Sequence, residues 1–191
     1  MRNIVKLGVF LCIIAGIAGL SLSYVNGLTY PIIQQQLEDE KLNGFQEVYP
    51  GAKDIKDESS KYLGSNSDPL LTEVNVVYDE NNAVGVIYTA EPAGYSGKIQ
   101  LLVGLDISDK KITAIKILSQ SETPGLGAKA KESFFTDRFK AKKTESVLEV
   151  VTKEPVGDSE VLAITSATIT SKAVTTGVNA ARQHFLDNFV Q

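Results

Sequence analysis

Residues 73–89, EVNVVYDENNAVGVIYT, hold two β-branched runs, Glu73 to Tyr78 and Val84 to Thr89, around the polar tetrapeptide Asp79-Glu80-Asn81-Asn82. β-Branched and aromatic side chains suit a pleated, half-buried surface, and a polar gap of this length reads as a hairpin turn. A second pair follows: Ile99 to Ile107 and Lys111 to Leu118, joined through Ser108-Asp109-Lys110. Two successive hairpins predict an antiparallel sheet. Toward the C-terminus, residues 128–141 permit a helix with Phe134, Phe135 and Phe139 as a buried stripe, and Val147 to Thr152 reads as one more strand. The segment Ser171 to Val190 places Val174, Val178, Ala181, Phe185 and Phe189 on one helical face. Strands grouped together with helices at the ends predict an α+β fold.

Toward the N-terminus, residues 52–69 read as a polar surface connection with a short strand near Tyr62. Before it, Ile32 to Val48 permits a helix whose apolar positions are Ile33, Leu37, Leu42 and Phe45, stopped by Tyr49-Pro50-Gly51. Leu7 to Thr29, LGVFLCIIAGIAGLSLSYVNGLT, carries no charge. About 20 helical residues cross a hydrocarbon core of ~30 Å. Arg2 and Lys6 precede this segment and acidic residues begin only at Glu38, so the positive-inside rule keeps the N-terminus cytoplasmic and exports the rest. A cleaved signal peptide is the competing reading; the apolar run is long for one, and Ser23-Tyr24-Val25-Asn26 offers no small-residue cleavage site. The expected organisation is therefore 1–29, cytoplasmic N-terminus and transmembrane helix; 30–51, juxtamembrane helix; and 52–191, an extracytoplasmic domain.

The bulk composition hides this division. The 191 residues are 43% hydrophobic and 22% charged with net charge −4, yet all 23 acidic side chains follow residue 37. These values exclude a disordered chain and a polytopic membrane protein. Basic residues are interleaved with acids, so no nucleic-acid partner is expected. Cys12, the only cysteine, lies in the apolar segment, which excludes an intrachain disulfide and a Cys-ligated cluster. His184, the only histidine, is expected to face solvent on the terminal helix, and no zinc site can be assembled.

Three elements remain. Pro92-Ala93-Gly94-Tyr95-Ser96-Gly97 leads into a strand; its glycines suit either a tight entry at positive φ or a close backbone approach to a ligand. Ser121-Glu122-Thr123-Pro124-Gly125-Leu126-Gly127 joins a strand to a helix, with Pro124-Gly125 suited to the centre of a type II turn. Thr165-Ser166-Ala167-Thr168-Ile169-Thr170-Ser171 places five hydroxyls at a helix start. One hydroxyl suffices for a cap; the surplus, with free N–H groups and the positive end of the helix dipole, suits a phosphate.

Taken in order, Gly94-Tyr95-x-Gly97, Val103-Gly104-Leu105-Asp106, Ser121 to Gly127 and Ala167-Thr168-Ile169-Thr170-Ser171 resemble the FMN-binding domain of two families. These are the G subunit of the Rnf complex and the C subunit of the sodium-pumping NADH:quinone reductase. The resemblance covers residues 4–190, and the length is closer to the Rnf subunit. It implies FMN linked by a phosphodiester to Thr168, placed there by a flavin transferase with FAD as donor. It further implies that Gly94, Tyr95, Glu122, Thr123, Gly125 and Leu126 surround the flavin together with Thr165, Ser166, Ala167, Thr170 and Ser171. The implied role is electron relay in a membrane complex that couples ferredoxin:NAD oxidoreduction to Na⁺ or H⁺ transport, with the other subunits as partners. Two positions depart from the pattern: the motif's glycine is Ser166, and its aspartate six residues before the acceptor is Leu162. They motivate an alternative, an exported binding or assembly subunit whose flavin site has degenerated.

Overall fold

The computed structural model describes residues 2–64, 67–154 and 157–190. One helix, α1, runs from Arg2 to Val48 and ends at the Tyr49-Pro50-Gly51 stop. Pro31 lies inside α1 without ending it. Side chains from Asn3 to Asp39 are exposed, and α1 is long and apolar enough to cross a membrane. The chain divides into two compact units at Glu40/Lys41, so the last turns of α1 belong with the folded domain.

That domain is built on a five-stranded antiparallel meander, in the order β1 (Asp54–Asp57), β2 (Leu71–Asp79), β3 (Asn82–Ala90), β4 (Gln100–Asp106), β5 (Lys111–Ser119). The first hairpin closes through Glu80 and Asn81, with Asp79 opposite Asn82 and Glu80 in the left-handed region at φ 57°. Val76 pairs with Val86, Tyr88 with Val103, and Val103 with Ile115, so one apolar face is continuous across the sheet. Against it lies α4 (Thr168–Phe189), whose Val174, Val178, Ala181 and Phe185 are wholly buried, with Phe189 packed at the edge. Each of the larger buried side chains contributes about 2 kcal/mol of transfer free energy.

The opposite face of the sheet receives residues 41–48 of α1. Phe45 and Val48 pack on Val77, Ile87, Leu102 and Leu118. Close approach requires Gly104, where a Cβ would stand 2.5 Å from the Val48 carbonyl oxygen. Thr113 donates a hydrogen bond to that oxygen, and the Tyr49 hydroxyl donates to Asp106 Oδ2 at 2.8 Å. Glu47 pairs with Lys116 at 2.6 Å, and Lys41 pairs with Glu73. Of the four expected apolar positions Ile33, Leu37 and Leu42 are exposed and Phe45 is buried; Phe45 makes the seat together with Val48, which was not among them.

Several local expectations are corrected. The short strand is Asp54–Asp57, and Tyr62 ends a helical turn, α2 (Ser59–Tyr62), started by Asp57 Oδ1 accepting from Ser59 N at 2.9 Å. Residues 128–141 form no single helix. Extended backbone at Glu132 separates a 3₁₀ segment Gly127–Lys131 from α3 (Ser133–Thr136), which runs directly into a 3₁₀ turn Asp137–Phe139. That break points Phe135 and Phe139 into the core as an edge-to-face pair and leaves Phe134 outside, beneath the Arg138 guanidinium. The strand expected at 147–152 is β6 (Glu149–Val151), paired in parallel with β7 (Glu160–Leu162) and separate from the main sheet. His184 is buried, with Nδ1 3.0 Å from the Tyr88 hydroxyl and Nε2 3.2 Å from the Tyr62 carbonyl. Its two ring nitrogens find partners on that face, which removes the cost of burying them.

Candidate functional site

The three polar elements meet beside the N-terminus of α4. The first loop is closed on itself: Gly94 N donates to Gly97 O at 2.7 Å and Ile99 N to Pro92 O at 2.9 Å. This closure projects Tyr95 outward. Neither Gly94 nor Gly97 takes positive φ, so that part of the expectation is corrected. Gly94 is instead needed for contact, since a Cβ there would sit 2.6 Å from Glu122 Oε1.

The second loop is the expected type II turn. Leu126 N donates to Thr123 O at 3.1 Å across Pro124-Gly125, and Gly125 has φ 78°. Pro124 presets the first central position and glycine accepts the positive φ at the second. Gly127 follows where a Cβ would meet Thr170 Oγ1 at 2.5 Å and Glu122 Oε2 at 2.7 Å.

The five hydroxyls of the third element separate into distinct roles. Ser171 is fully buried; its Oγ accepts from Ile164 N at 2.9 Å and donates to Ala167 O at 3.0 Å. Thr170 is buried and donates to Glu122 Oε2. Thr165 and Ser166 are exposed, and Ser166 stands in the left-handed region at φ 62°. The N-cap position of α4 is Ala167, which brings no side-chain cap. Thr168 opens the helix half-buried, and its hydroxyl has no hydrogen-bond partner among the described residues. The surplus of hydroxyls is thus not a surplus of caps.

A cleft of about 510 Å³ is lined by Tyr95, Glu122, Thr123, Leu126, Gly127 and the run Ser166, Ala167, Thr168, Ile169, Thr170. Eight of the expected site residues line it. Four do not: Gly94 packs behind Glu122, Gly125 shapes the turn, Ser171 is buried under the helix start and Thr165 faces solvent. Two lining residues were missing from the expectation, Gly127 and Ile169. Ile169, half exposed and apolar inside a run of hydroxyl residues, was the signal available for the second.

Thr168 also borders a second cleft of about 400 Å³ that contains Lys153 and Lys172. Behind the site, the Arg138 guanidinium donates to the carbonyls of Leu162 and Ala163, holding the chain that leads into Thr165, and its partial burial lowers its pKa. A larger polar depression of about 640 Å³ lies along α4 beside Lys61, His184 and Asp187 and includes none of the expected residues.

The cleft falls in the size range of cofactor sites, with Tyr95, Leu126 and Ile169 as apolar walls for a flat ring. An unpartnered hydroxyl at the positive end of a long helix dipole suits a phosphate. The residues present therefore fit FMN.

Comparison with known proteins agrees. The FMN-binding domain family matches residues 94–183, which include the first element from Gly94 onward and the whole of the other two. The G subunit of the Na(+)-translocating ferredoxin:NAD(+) oxidoreductase complex of Acetobacterium woodii is 36% identical over 193 residues, covering 95% of this chain and 91% of its own. The G subunit of the ion-translocating oxidoreductase complex of Methanosarcina acetivorans is 28% identical over 94% of this chain and 93% of its own. Among solved structures, the C subunit of the Na(+)-translocating NADH-quinone reductase of Parabacteroides distasonis shares the fold. Its TM-score is 0.62 at 21% identity, over 83% of this chain and 96% of that one. The domain is thus an α+β FMN-binding domain behind an N-terminal apolar helix. The chain belongs to the family of G subunits of Rnf-type ion-translocating oxidoreductase complexes.

Proposed function

We propose that this chain is the membrane-anchored flavoprotein subunit of an Rnf-type complex, with FMN held on Thr168 by a phosphodiester. The observation that carries the assignment is the division of hydroxyls: Ser171 and Thr170 are buried and engaged, whereas Thr168 is accessible and unpartnered at the first position of α4. In the attachment step, catalysed by a flavin transferase with FAD as donor, Thr168 Oγ bonds to the flavin-side phosphorus. AMP departs, and the hydroxyl proton leaves with it to solvent. The cofactor then supplies the redox chemistry. The chain's own residues would hold the group: the α4 N-terminus would take the phosphate, and Tyr95, Leu126 and Ile169 would flank the ring and exclude water.

In the same reading α1 spans the membrane with Arg2 and Lys6 on the cytoplasmic side, and the flavin domain is extracytoplasmic. A covalent link suits that location, because a reversibly bound cofactor would be lost to dilute surroundings. The partners are the other subunits of the complex, which bring electrons from ferredoxin toward NAD and move Na⁺ or H⁺.

The test is in-gel flavin fluorescence of the denatured protein, produced with its transferase, for wild type and Thr168→Val. Fluorescence in the wild type only is expected; a dark wild-type band or a fluorescent variant overturns the linkage. The alternative of a degenerated site rests on Ser166 and Leu162. Against it, Ser166 itself adopts the left-handed conformation that a glycine would supply. Mass spectrometry of the protein from its native membrane decides: an unmodified peptide around Thr168 supports the alternative.

A further inference from the structure

Among the described residues, Glu122 is the only charged side chain lining the candidate flavin cleft, and it is almost wholly buried. Both carboxylate oxygens are committed within the protein. Oε1 accepts from Ser96 N at 2.8 Å, and Oε2 accepts from the Thr170 hydroxyl. One carboxylate therefore ties the Gly94 to Gly97 loop and the first turn of α4 to the loop it occupies. The neighbouring backbone is shaped around it: a Cβ at Gly94 would stand 2.6 Å from Oε1, and one at Gly127 would stand 2.7 Å from Oε2. Among the described residues no cation pairs with it; its partners are an amide and a hydroxyl.

A buried carboxylate held by neutral donors lies in a medium that screens charge poorly. Charge beside a cofactor acts on it through space, and tuning of this kind is the protein's share of the chemistry.

We infer that Glu122 is a positioning and potential-setting residue of the flavin site rather than a direct flavin ligand. It joins the three walls of the cleft, and its uncompensated charge opposes the arrival of an electron on the ring, which lowers the reduction potential. This inference rests on the flavin occupying the Thr168 cleft. The two functions separate by chemistry. Glutamine keeps an acceptor for Ser96 N and a polar partner for Thr170 but carries no charge; alanine removes both.

The experiment uses the full chain produced with its flavin transferase. Flavin per protein is read from fluorescence of the denatured band, and midpoint potential from spectroelectrochemical titration, for wild type, Glu122→Gln, Glu122→Ala and Thr170→Val. The expected result is that Glu122→Gln retains most of the flavin but has a more positive midpoint. Glu122→Ala loses most of its flavin. Thr170→Val, which keeps the charge and cuts one bond, loads less well without the positive shift. An unchanged midpoint in Glu122→Gln overturns the charge effect, as does an equal positive shift in Thr170→Val. Wild-type loading in Glu122→Ala or in Thr170→Val overturns the positioning role, and the Thr170→Val result decides this even where the Glu122 variants accumulate poorly. A wild type without flavin contradicts the function proposed above, an outcome distinct from all of these.

Discussion

The sheet has two helix contacts of opposite character. On one face, residues 41–48 of α1 sit on Leu102, Ile87 and Val77, and Gly104 lets the Val48 carbonyl approach the strand. At the α4 end, glycines 94 and 127 admit a buried carboxylate instead of a helix. Glycine serves close packing in both places, without positive φ in either, but what it admits differs. The α1 seat is apolar with hydrogen bonds at its rim, so its loss is a loss of stability. The cleft is organised by one charged group between loops, so its loss is a loss of site geometry. The same type of residue therefore serves helix packing in one region and the candidate site in the other.

Four measurements test this contrast. The largest effect is expected at Thr168, where valine abolishes covalent flavin while leaving the thermal stability of the flavin-free protein within about 0.5 kcal/mol, as for a substitution away from the core. Large parallel losses in both would merge the two regions.

Gly104→Ala and Gly94→Ala come next. Alanine at 104 forces the Val48 backbone away and is expected to cost about 1–3 kcal/mol as overpacking. Denaturant titration reads that cost, and flavin loading of the folded fraction should stay at the wild-type level. Alanine at 94 displaces the Glu122 carboxylate, and loading should fall more than stability does. The reverse pattern would refute the contrast.

The third measurement concerns alkaline pH. Burial, together with its bond to Asp106, raises the Tyr49 pKa well above the ordinary tyrosine value of 10.0. Burial does the same for Tyr88 on the other face, beside His184. In both cases the folded form keeps the proton that the unfolded form gives up above that pH. Stability from these groups is fully present below pH about 10 and is lost as pH rises beyond it. Melting temperatures between pH 8 and 11 should fall at the top of this range, and Tyr49→Phe should flatten that fall. An identical slope in Tyr49→Phe would show that the α1 seat does not depend on that hydroxyl.

The smallest effect is expected at Ser166. A non-glycine residue in the left-handed region is strained by roughly 1–2 kcal/mol, part of which glycine returns through its freer unfolded state. Ser166→Gly should therefore stabilise the domain by about 1 kcal/mol or less, raising its melting temperature slightly. A fall in melting temperature would mean that the serine side chain is itself a structural contact.

Local residue patterns were sufficient for much of the fold. Strands β2 to β5 and the buried stripe of α4 lie close to where β-branched runs and the helical period placed them, because period and burial reinforce each other there. The stop after Val48 followed from Tyr49-Pro50-Gly51. Patterns failed where a remote partner overrode local preference. Residues 128–141 broke into short turns to bury Phe135 and Phe139, β7 exists only through its pairing with β6, and His184 turned inward to Tyr88 and Tyr62.

For the site, the residue pattern supplies the ingredients: a glycine-bearing loop, the Glu122 to Gly127 turn and a hydroxyl run before a long helix. Backbone preferences at Pro, Gly and cap residues are local, and composition alone exposes them. Which groups are committed and which are free depends on long-range folding. Glu122 lies 26 residues from Ser96 and 48 from Thr170, and its bonds to them exist because the sheet brings those segments together. Hydrogen bonding over such separations is set by the fold and leaves no local trace, so the availability of Thr168 and the engagement of Thr170 are facts of tertiary structure.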